Sequence, residues 1–233
     1  TLIRTARSVI TTVPTADMKR GIFPFPVYDP FTLNTTTLAR QPFANNTIPQ
    51  ARWDTVGAKL LQLYPDPNLP GLVNNYAGQI SSKENNHQVD VRGDYVLSTK
   101  DTLFARYSYN HGNSTRGSVF GAPGYGGSSY LDWPANIPSS AWSVAGGHTR
   151  VFSAAWANEL RLGYTHNESN QLSPSKESLY SRFGILGVPN SDKMTGLPTF
   201  LPTGYSWLGD PHFEPNPKRA GLLYLTDNVT WTR

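Results

Sequence analysis

Apolar and polar side chains alternate most clearly between residues 87 and 110. Val89, Val91, Tyr95 and Leu97 take turns with Asp90, Arg92 and Asp94, and after the polar quartet Ser98, Thr99, Lys100 and Asp101 the alternation resumes. There Leu103, Ala105, Tyr107 and Tyr109 stand against Arg106, Ser108 and Asn110. Successive side chains of a strand point to opposite faces, so this pattern predicts a β-hairpin with one apolar and one charged face. Residues 141–167 repeat it: Trp142, Val144 and Gly146 lead to a turn near 152–155, after which Trp156, Leu160, Leu162 and Tyr164 alternate with Ala157, Glu159, Arg161 and Thr165. A last run sets Leu223, Leu225, Val229 and Trp231 opposite Tyr224, Thr226, Asn228 and Thr230, with Asp227 as a polar exception, and a weaker strand covers 2–12. The expectation is one antiparallel sheet in chain order, with strands at 2–12, 87–97, 102–110, 141–152, 156–166 and 220–232.

The connections alternate in length. Those at 98–101 and 152–155 are tight, whereas 13–86, 111–140 and 167–219 are long and rich in Gly, Pro, Asn and Ser. Loops beyond about 12 to 15 residues are uncommon in compact soluble domains. Strands near ten residues, with tight turns at one end and long loops at the other, are the pattern of an outer-membrane barrel, the long loops being extracellular. In a bilayer every backbone N–H and C=O must be paired within the protein, so β-structure spans it only as a closed barrel. On that reading Arg92, Arg106 and Arg161 face a watery lumen, while Phe104, Phe152, Trp156 and Trp231 supply an aromatic girdle at the headgroups. The same alternation also describes any half-buried antiparallel sheet. Within the first long connection, Val56, Gly57, Leu60, Leu61 and Tyr64 recur at helical spacing between a capping Asp54 and Pro65, which predicts about three turns of helix packing that loop against itself.

Composition favours strands and turns. Of 233 residues, 12% are aromatic and only 15% charged, and Gly and Pro number 20 and 19. Aromatic side chains suit the pleated surface of a sheet, and an ordinary domain carries about 25% charged residues. Helical bundles, coiled coils and charged disordered tails are poor candidates. The net charge of +4 comes from scattered Lys and Arg with no nucleic-acid-binding motif, so no nucleic-acid partner is expected. Zero cysteines exclude disulfides, thiolate metal sites and Cys nucleophiles. No stretch approaches the roughly 18 apolar residues of a membrane helix. Thr1 opens the chain without a signal pattern, and the expectation is an internal piece of something longer.

An ordered series of short motifs resembles the Oar-like TonB-dependent receptors. It begins with Val13-Pro14-Thr15, Met18-Lys19-Arg20-Gly21-Ile22-Phe23, Tyr28-Asp29-Pro30, Pro42-Phe43-Ala44-Asn45-Asn46-Thr47-Ile48-Pro49 and Leu60-Leu61-Gln62-Leu63-Tyr64-Pro65. It continues through Val89-Asp90-Val91-Arg92-Gly93-Asp94, Leu103-Phe104-Ala105-Arg106-Tyr107-Ser108 and Asn158-Glu159-Leu160-Arg161-Leu162-Gly163-Tyr164. Gly184-Ile185-Leu186-Gly187, Gly196-Leu197-Pro198, Gly204-Tyr205-Ser206-Trp207-Leu208-Gly209 and Leu225-Thr226-Asp227-Asn228-Val229-Thr230-Trp231 complete it. The resemblance covers about 13–233; one departure is Gly21-Ile22-Phe23, where the family usually shows an acidic residue between Gly and Phe. It implies a segment of about six up-and-down strands from a 22-stranded barrel, with outer-membrane lipid around it and a plug inside it. It further implies energy from the TonB complex through a box near the receptor's N-terminus, an unknown substrate, and a monomeric barrel when complete. Plug, box and N-terminal domains lie outside this stretch, and no cofactor is implied.

No catalytic constellation emerges. His87, His111, His148, His166 and His212 are far apart, and there is no HExxH, GxSxG, GxGxxG or GxxxxGK[ST] motif. Gly121 and Gly127 bound a Gly-rich stretch with no following helix, which reads as a surface loop. Arg92-Gly93-Asp94 lies inside a strand and cannot protrude as an adhesion tripeptide, and the acceptor motifs at Asn34, Asn45, Asn113, Asn167 and Asn228 matter only in a cell that glycosylates them. Tyr125, Tyr130, Trp133 and Trp207 are candidate ligand contacts, because exposed rings beside Gly make stacking platforms; packing of the loops on one another is the competing account. A secreted glycan-binding or adhesive β-sandwich using those rings is the alternative to the transport reading. If the six strands belong to a barrel, they are fewer than the eight of the smallest single-chain barrels and leave outer edges unpaired. Expressed alone, residues 1–233 should aggregate or require detergent; a monomer that melts cooperatively without detergent would move the sandwich to first place.

Overall fold

A computed structural model describes residues 1–121, 133–175, 177–188, 194–211 and 214–232. Six strands carry the fold: β1 Leu2–Thr11, β2 Tyr76–Val96, β3 Asp101–Arg116, β4 Ala135–Ser153, β5 Trp156–Gln171 and β6 Asn216–Trp231. They form one sheet in chain order, each strand antiparallel to the next. A β-sandwich divides its strands between two packed sheets, and this single meander does not. Among the described residues the outer edges of β1 and β6 have no strand partner.

The register fixes the two faces. Val91 lies opposite Tyr107, Tyr107 opposite Val144, Val144 opposite Tyr164, and Tyr164 opposite Leu223. With period 2, Val89, Val91, Leu103, Tyr107, Leu160, Leu162, Leu225 and Val229 share one face, as the alternation predicts. All of them but half-buried Leu103 are exposed: Leu162 is 52% and Leu225 68% exposed. A contiguous apolar surface of this extent needs a cover, and in a barrel wall lipid provides it.

The opposite face is polar and internally paired. Arg92 lies across from Arg106, and each cation has a carboxylate of its own: Arg92 with Asp94 at 2.7 Å and Arg106 with Asp90 at 2.8 Å. Arg161 pairs with Glu159 at 2.7 Å on the same face. Arg92-Gly93-Asp94 is thus interior to β2 and engaged in its own ion pair.

Phe104 departs from expectation. It shares the polar face, where it lies opposite Gly147 and beneath the Arg92 guanidinium, 4.4 Å from the ring centroid. A Cβ on Gly147 would come within 2.3 Å of that ring, so the missing side chain makes room for it. Gly163 and Tyr224 repeat the arrangement, with a virtual Cβ 2.2 Å from the Tyr224 ring. Phe152, Trp156 and Trp231 do lie on the apolar face near the tight turn, Phe152 and Trp156 with centroids 5.2 Å apart. A second aromatic group, Trp142 with Tyr164 and His166, stands further up the same face, with centroids 5.4 and 5.8 Å from Trp142. Between Trp142 and Phe152 β4 rises about 33 Å, which at a tilt of about 40° is about 25 Å along the membrane normal, the height of a barrel's apolar band. Asp227, the polar exception, accepts a hydrogen bond from the Asn158 side-chain amide at 2.6 Å.

The strands are longer than the alternation suggests. β2 has 21 residues and begins at Tyr76 rather than 87, β3 runs to Arg116 rather than 110, β4 begins at Ala135 rather than 141, β5 runs to Gln171 rather than 166, and β6 begins at Asn216 rather than 220. About 9 to 11 residues cross a bilayer. The additional residues lie beyond Trp142 and Tyr164, where one face no longer meets lipid tails and the other lies partly under the long connections, as at Ile80 and Ala135, so period-2 contrast disappears. The long connections are accordingly 12–75, 117–134 and 172–215. If Leu162 lies near the bilayer midplane on the lipid side, Leu162→Arg should cost about 2 to 4 kcal/mol and Thr165→Arg on the other face under about 1 kcal/mol. Folding in lipid vesicles under a denaturant series measures both, and equal losses would contradict the face assignment.

Candidate functional site

The three long connections pack together over one end of the sheet. In the first, α1 Thr55–Leu61 is capped as expected by Asp54, whose carboxylate accepts the Gly57 N–H at 2.6 Å, but it has two turns rather than three. Nor does it pack only within its own loop. Leu60 joins Leu179, Phe183 and Leu197 of the third connection in a buried cluster, where α2 Leu179–Phe183 supplies two of the four members. A second cluster unites Val13, Tyr64 and Leu208.

Polar anchors fix this cap to the sheet. Asn75 is fully buried and its side-chain amide holds both backbone groups of Val13, accepting from N–H at 2.8 Å and donating to C=O at 2.9 Å. Ser206 meets Thr11 hydroxyl to hydroxyl at 2.6 Å, and its carbonyl accepts from the Tyr64 hydroxyl. Burial of that phenol pushes its pKa up. Arg52 forks onto Asp29 at 2.7 and 2.6 Å beneath the Phe31 and Phe43 rings; this hydrogen-bonded pairing holds the carboxyl below its usual range. The second connection leans on the polar face of β2: a Cβ at Gly78 would come within 2.7 Å of the Val119 carbonyl. Phe120 meets the Tyr64 and Tyr76 rings edge-on. The cap therefore closes over the charged side of the sheet.

Of the candidate contact rings, Trp133 is 2% exposed and stacks on half-buried Trp207 at 5.3 Å. Trp133 offers no exposed platform; together the two rings fasten the second connection to the third. Tyr125 and Tyr130 lie outside the described residues.

The third connection instead encloses two acidic groups that sequence reasoning passed over. Asp210 is 5% exposed. Its Oδ2 accepts from the Ser173 hydroxyl at 2.8 Å and the Leu197 N–H at 2.9 Å. The chain approaches so closely that a Cβ on Gly196 would fall 1.8 Å from Oδ2, and Gly196 has φ +80°, which side-chain-bearing residues rarely adopt. Glu214 accepts from the Gln171 amide at 3.0 Å. Burial raises the pKa of Asp210 to about 6 against those two hydrogen bonds. Burial also raises Glu214 to about 8; Gln171 opposes the shift, the charge of Asp210 adds to it and Arg116 offsets part. In sequence the only mark on either acid is a following proline, Pro211 or Pro215.

An antiparallel meander with one bare apolar face, one paired charged face and aromatic groups about 33 Å apart along the strand has the pattern of a membrane β-barrel wall. The comparison with known families agrees: the family described as "outer membrane beta barrel domain" matches residues 1–233, and the chain belongs to it. It is a protein of the bacterial outer membrane. No curated protein and no solved structure matches it.

Raised carboxyl pKa values fix the sign of a pH effect. The folded chain keeps protons on Asp210 and Glu214 that the unfolded chain releases near pH 4, so their contribution is most favourable below about pH 4 and declines as pH rises to about 8. Hydrogen exchange at the Leu197 amide, corrected for its intrinsic rate, should show less protection at pH 8 than at pH 5. Asp210→Asn should recover roughly 1 to 3 kcal/mol at pH 8, because the amide oxygen can keep both hydrogen bonds without a buried charge; a pH-independent profile in the wild type would refute the assignment.

Proposed function

We propose that the chain is barrel wall and cap of an Oar-like TonB-dependent receptor, which takes up or moves a substrate across the outer membrane. The observation that carries this reading is the asymmetry of the sheet. Two tight turns join the strands at one end, and at the other three long connections interlock over the charged face. A simple pore leaves its lumen open, whereas a gated receptor recognises ligand at its outer mouth and opens only when driven. The ordered motifs over 13–233 support the receptor subtype. The remaining strands, a plug and a TonB-contacting box complete the proposed machine, which works as a monomeric barrel in lipid, binds no nucleic acid and carries out no catalytic step. A glycan-binding sandwich loses ground because one sheet in chain order, bare on its apolar face, is not a sandwich.

The test is energy coupling. The protein, extracted from outer membranes in mild detergent, should be retained on immobilised periplasmic TonB domain at least tenfold over a porin control. Retention equal to the porin's would reject the TonB-dependent assignment while leaving the barrel intact.

A further inference from the structure

On the face that carries Val89 and Val91, Arg4 of β1 lies directly opposite Lys83 of β2, and the same cross-strand row continues through Thr115 to Asn136. Both cations are exposed. Like charges directly opposite each other on a sheet repel, so such a pair calls for an anion beside it. On the other face Arg92 and Arg106 stand in the same relation, and each has its own carboxylate, at 2.7 and 2.8 Å. Arg4 and Lys83 have no such partner among the described residues. Glu84, next in the chain, turns to the opposite face. Glu168 shares their face but lies on β5 and is taken by Arg219 at 2.9 Å.

Lys83 stands six residues beyond Val89, whose row runs through Tyr109 to Trp142 of the upper aromatic group. At about 3.3 Å per residue that is about 20 Å along the strand, past the hydrocarbon and on the outside of the wall rather than in the lumen. The rows between set His87 opposite His111 and Asn85 opposite Asn113, all four exposed and all with hydrogen-bonding side chains. The outside surface above the girdle is therefore neutral and polar near the membrane and cationic further out. We propose that this strip binds the phosphorylated sugar headgroup of an outer-leaflet glycolipid of the lipopolysaccharide kind, with a phosphate between Arg4 and Lys83 and the sugars along the histidine and asparagine rows. A phosphate supplies the negative charge that the pair lacks, and its bonds to a guanidinium and an ammonium are charge-assisted. Position favours a lipid over a dissolved anion. A transported ligand passes through the lumen, on the other side of the wall, whereas a glycolipid whose acyl chains lie against Val89 and Val91 carries its headgroup up this face. Nothing in the contact depends on TonB, so its failure and that of the receptor reading are separate results.

The detergent-extracted protein, washed free of native glycolipid in an uncharged maltoside with EDTA, should bind lipopolysaccharide truncated to lipid A and inner-core sugars, presented in maltoside micelles and followed by thermophoresis of the labelled protein. Phosphatase-treated lipopolysaccharide should bind at least tenfold more weakly, and raising NaCl from about 50 to about 500 mM should weaken binding of the intact lipid as much. The double variant Arg4→Ser with Lys83→Ser should lose at least tenfold in affinity while keeping the wild-type circular dichroism spectrum. Arg4→Lys with Lys83→Arg, which retains both charges, should stay within about threefold, and Thr165→Arg, on the polar face of the wall, within twofold. Inorganic phosphate at about 1 mM should leave the lipid bound; full displacement by it would mark a free-anion site and overturn the assignment. No binding by the wild type, equal binding of the dephosphorylated lipid, or an unchanged affinity in the double serine variant would overturn it as well.

Discussion

Within hydrocarbon no water is present to satisfy a peptide group, so each N–H and C=O of a spanning strand must find its partner on the next strand. Within the spanning segments the registers from β2 to β6 meet that requirement for β3, β4 and β5, with one shift between Val151 and Ser153. Once the backbone is satisfied laterally, side chains are released to serve two different solvents. Val91, Leu162 and Leu225 can stay bare on one face because lipid accepts them, and Arg92, Arg106 and Arg161 can stay charged on the other because carboxylates lie beside them on the same face. Where the strands need an aromatic ring laid flat on the wall, a glycine on the neighbouring strand gives up its side chain, as at Gly147 under Phe104 and Gly163 under Tyr224.

Above the membrane the balance changes, because water competes for every polar group and only local burial can order the chain. The cap answers with two small apolar clusters and with side chains that take over backbone pairing, Asn75 on Val13 being the clearest. Most of its polar atoms are thus matched. Against that background Asp210 and Glu214 run the other way, placed where burial disfavours their charge and where each keeps an oxygen without a donor. Local rules are broken at functional sites more often than elsewhere, and the stability given up there is supplied by the rest of the structure.

The sequence by itself determined the parts that depend on a side chain's immediate solvent. Alternation at 89–97 and 103–109 reported which residues meet lipid and which do not, and Asp54 before Val56 marked the start of a helix. It lost the strands' outer ends, since residues such as Asn85, His111 and Ser140 lie beyond the lipid tails, where neither face is sorted by hydrocarbon and no periodic trace remains. It also misplaced Phe104, whose ring reads as girdle until the register sets it opposite Gly147. What only the tertiary structure decided is long-range burial. Trp133 and Trp207 look like exposed rings in a Gly-rich chain and in fact hold two loops together, while Asp210 and Glu214 look like solvated loop acids and line a cavity. Burial of that kind is set by chain segments far apart in sequence, such as Ser173 against Asp210, and no local pattern encodes it.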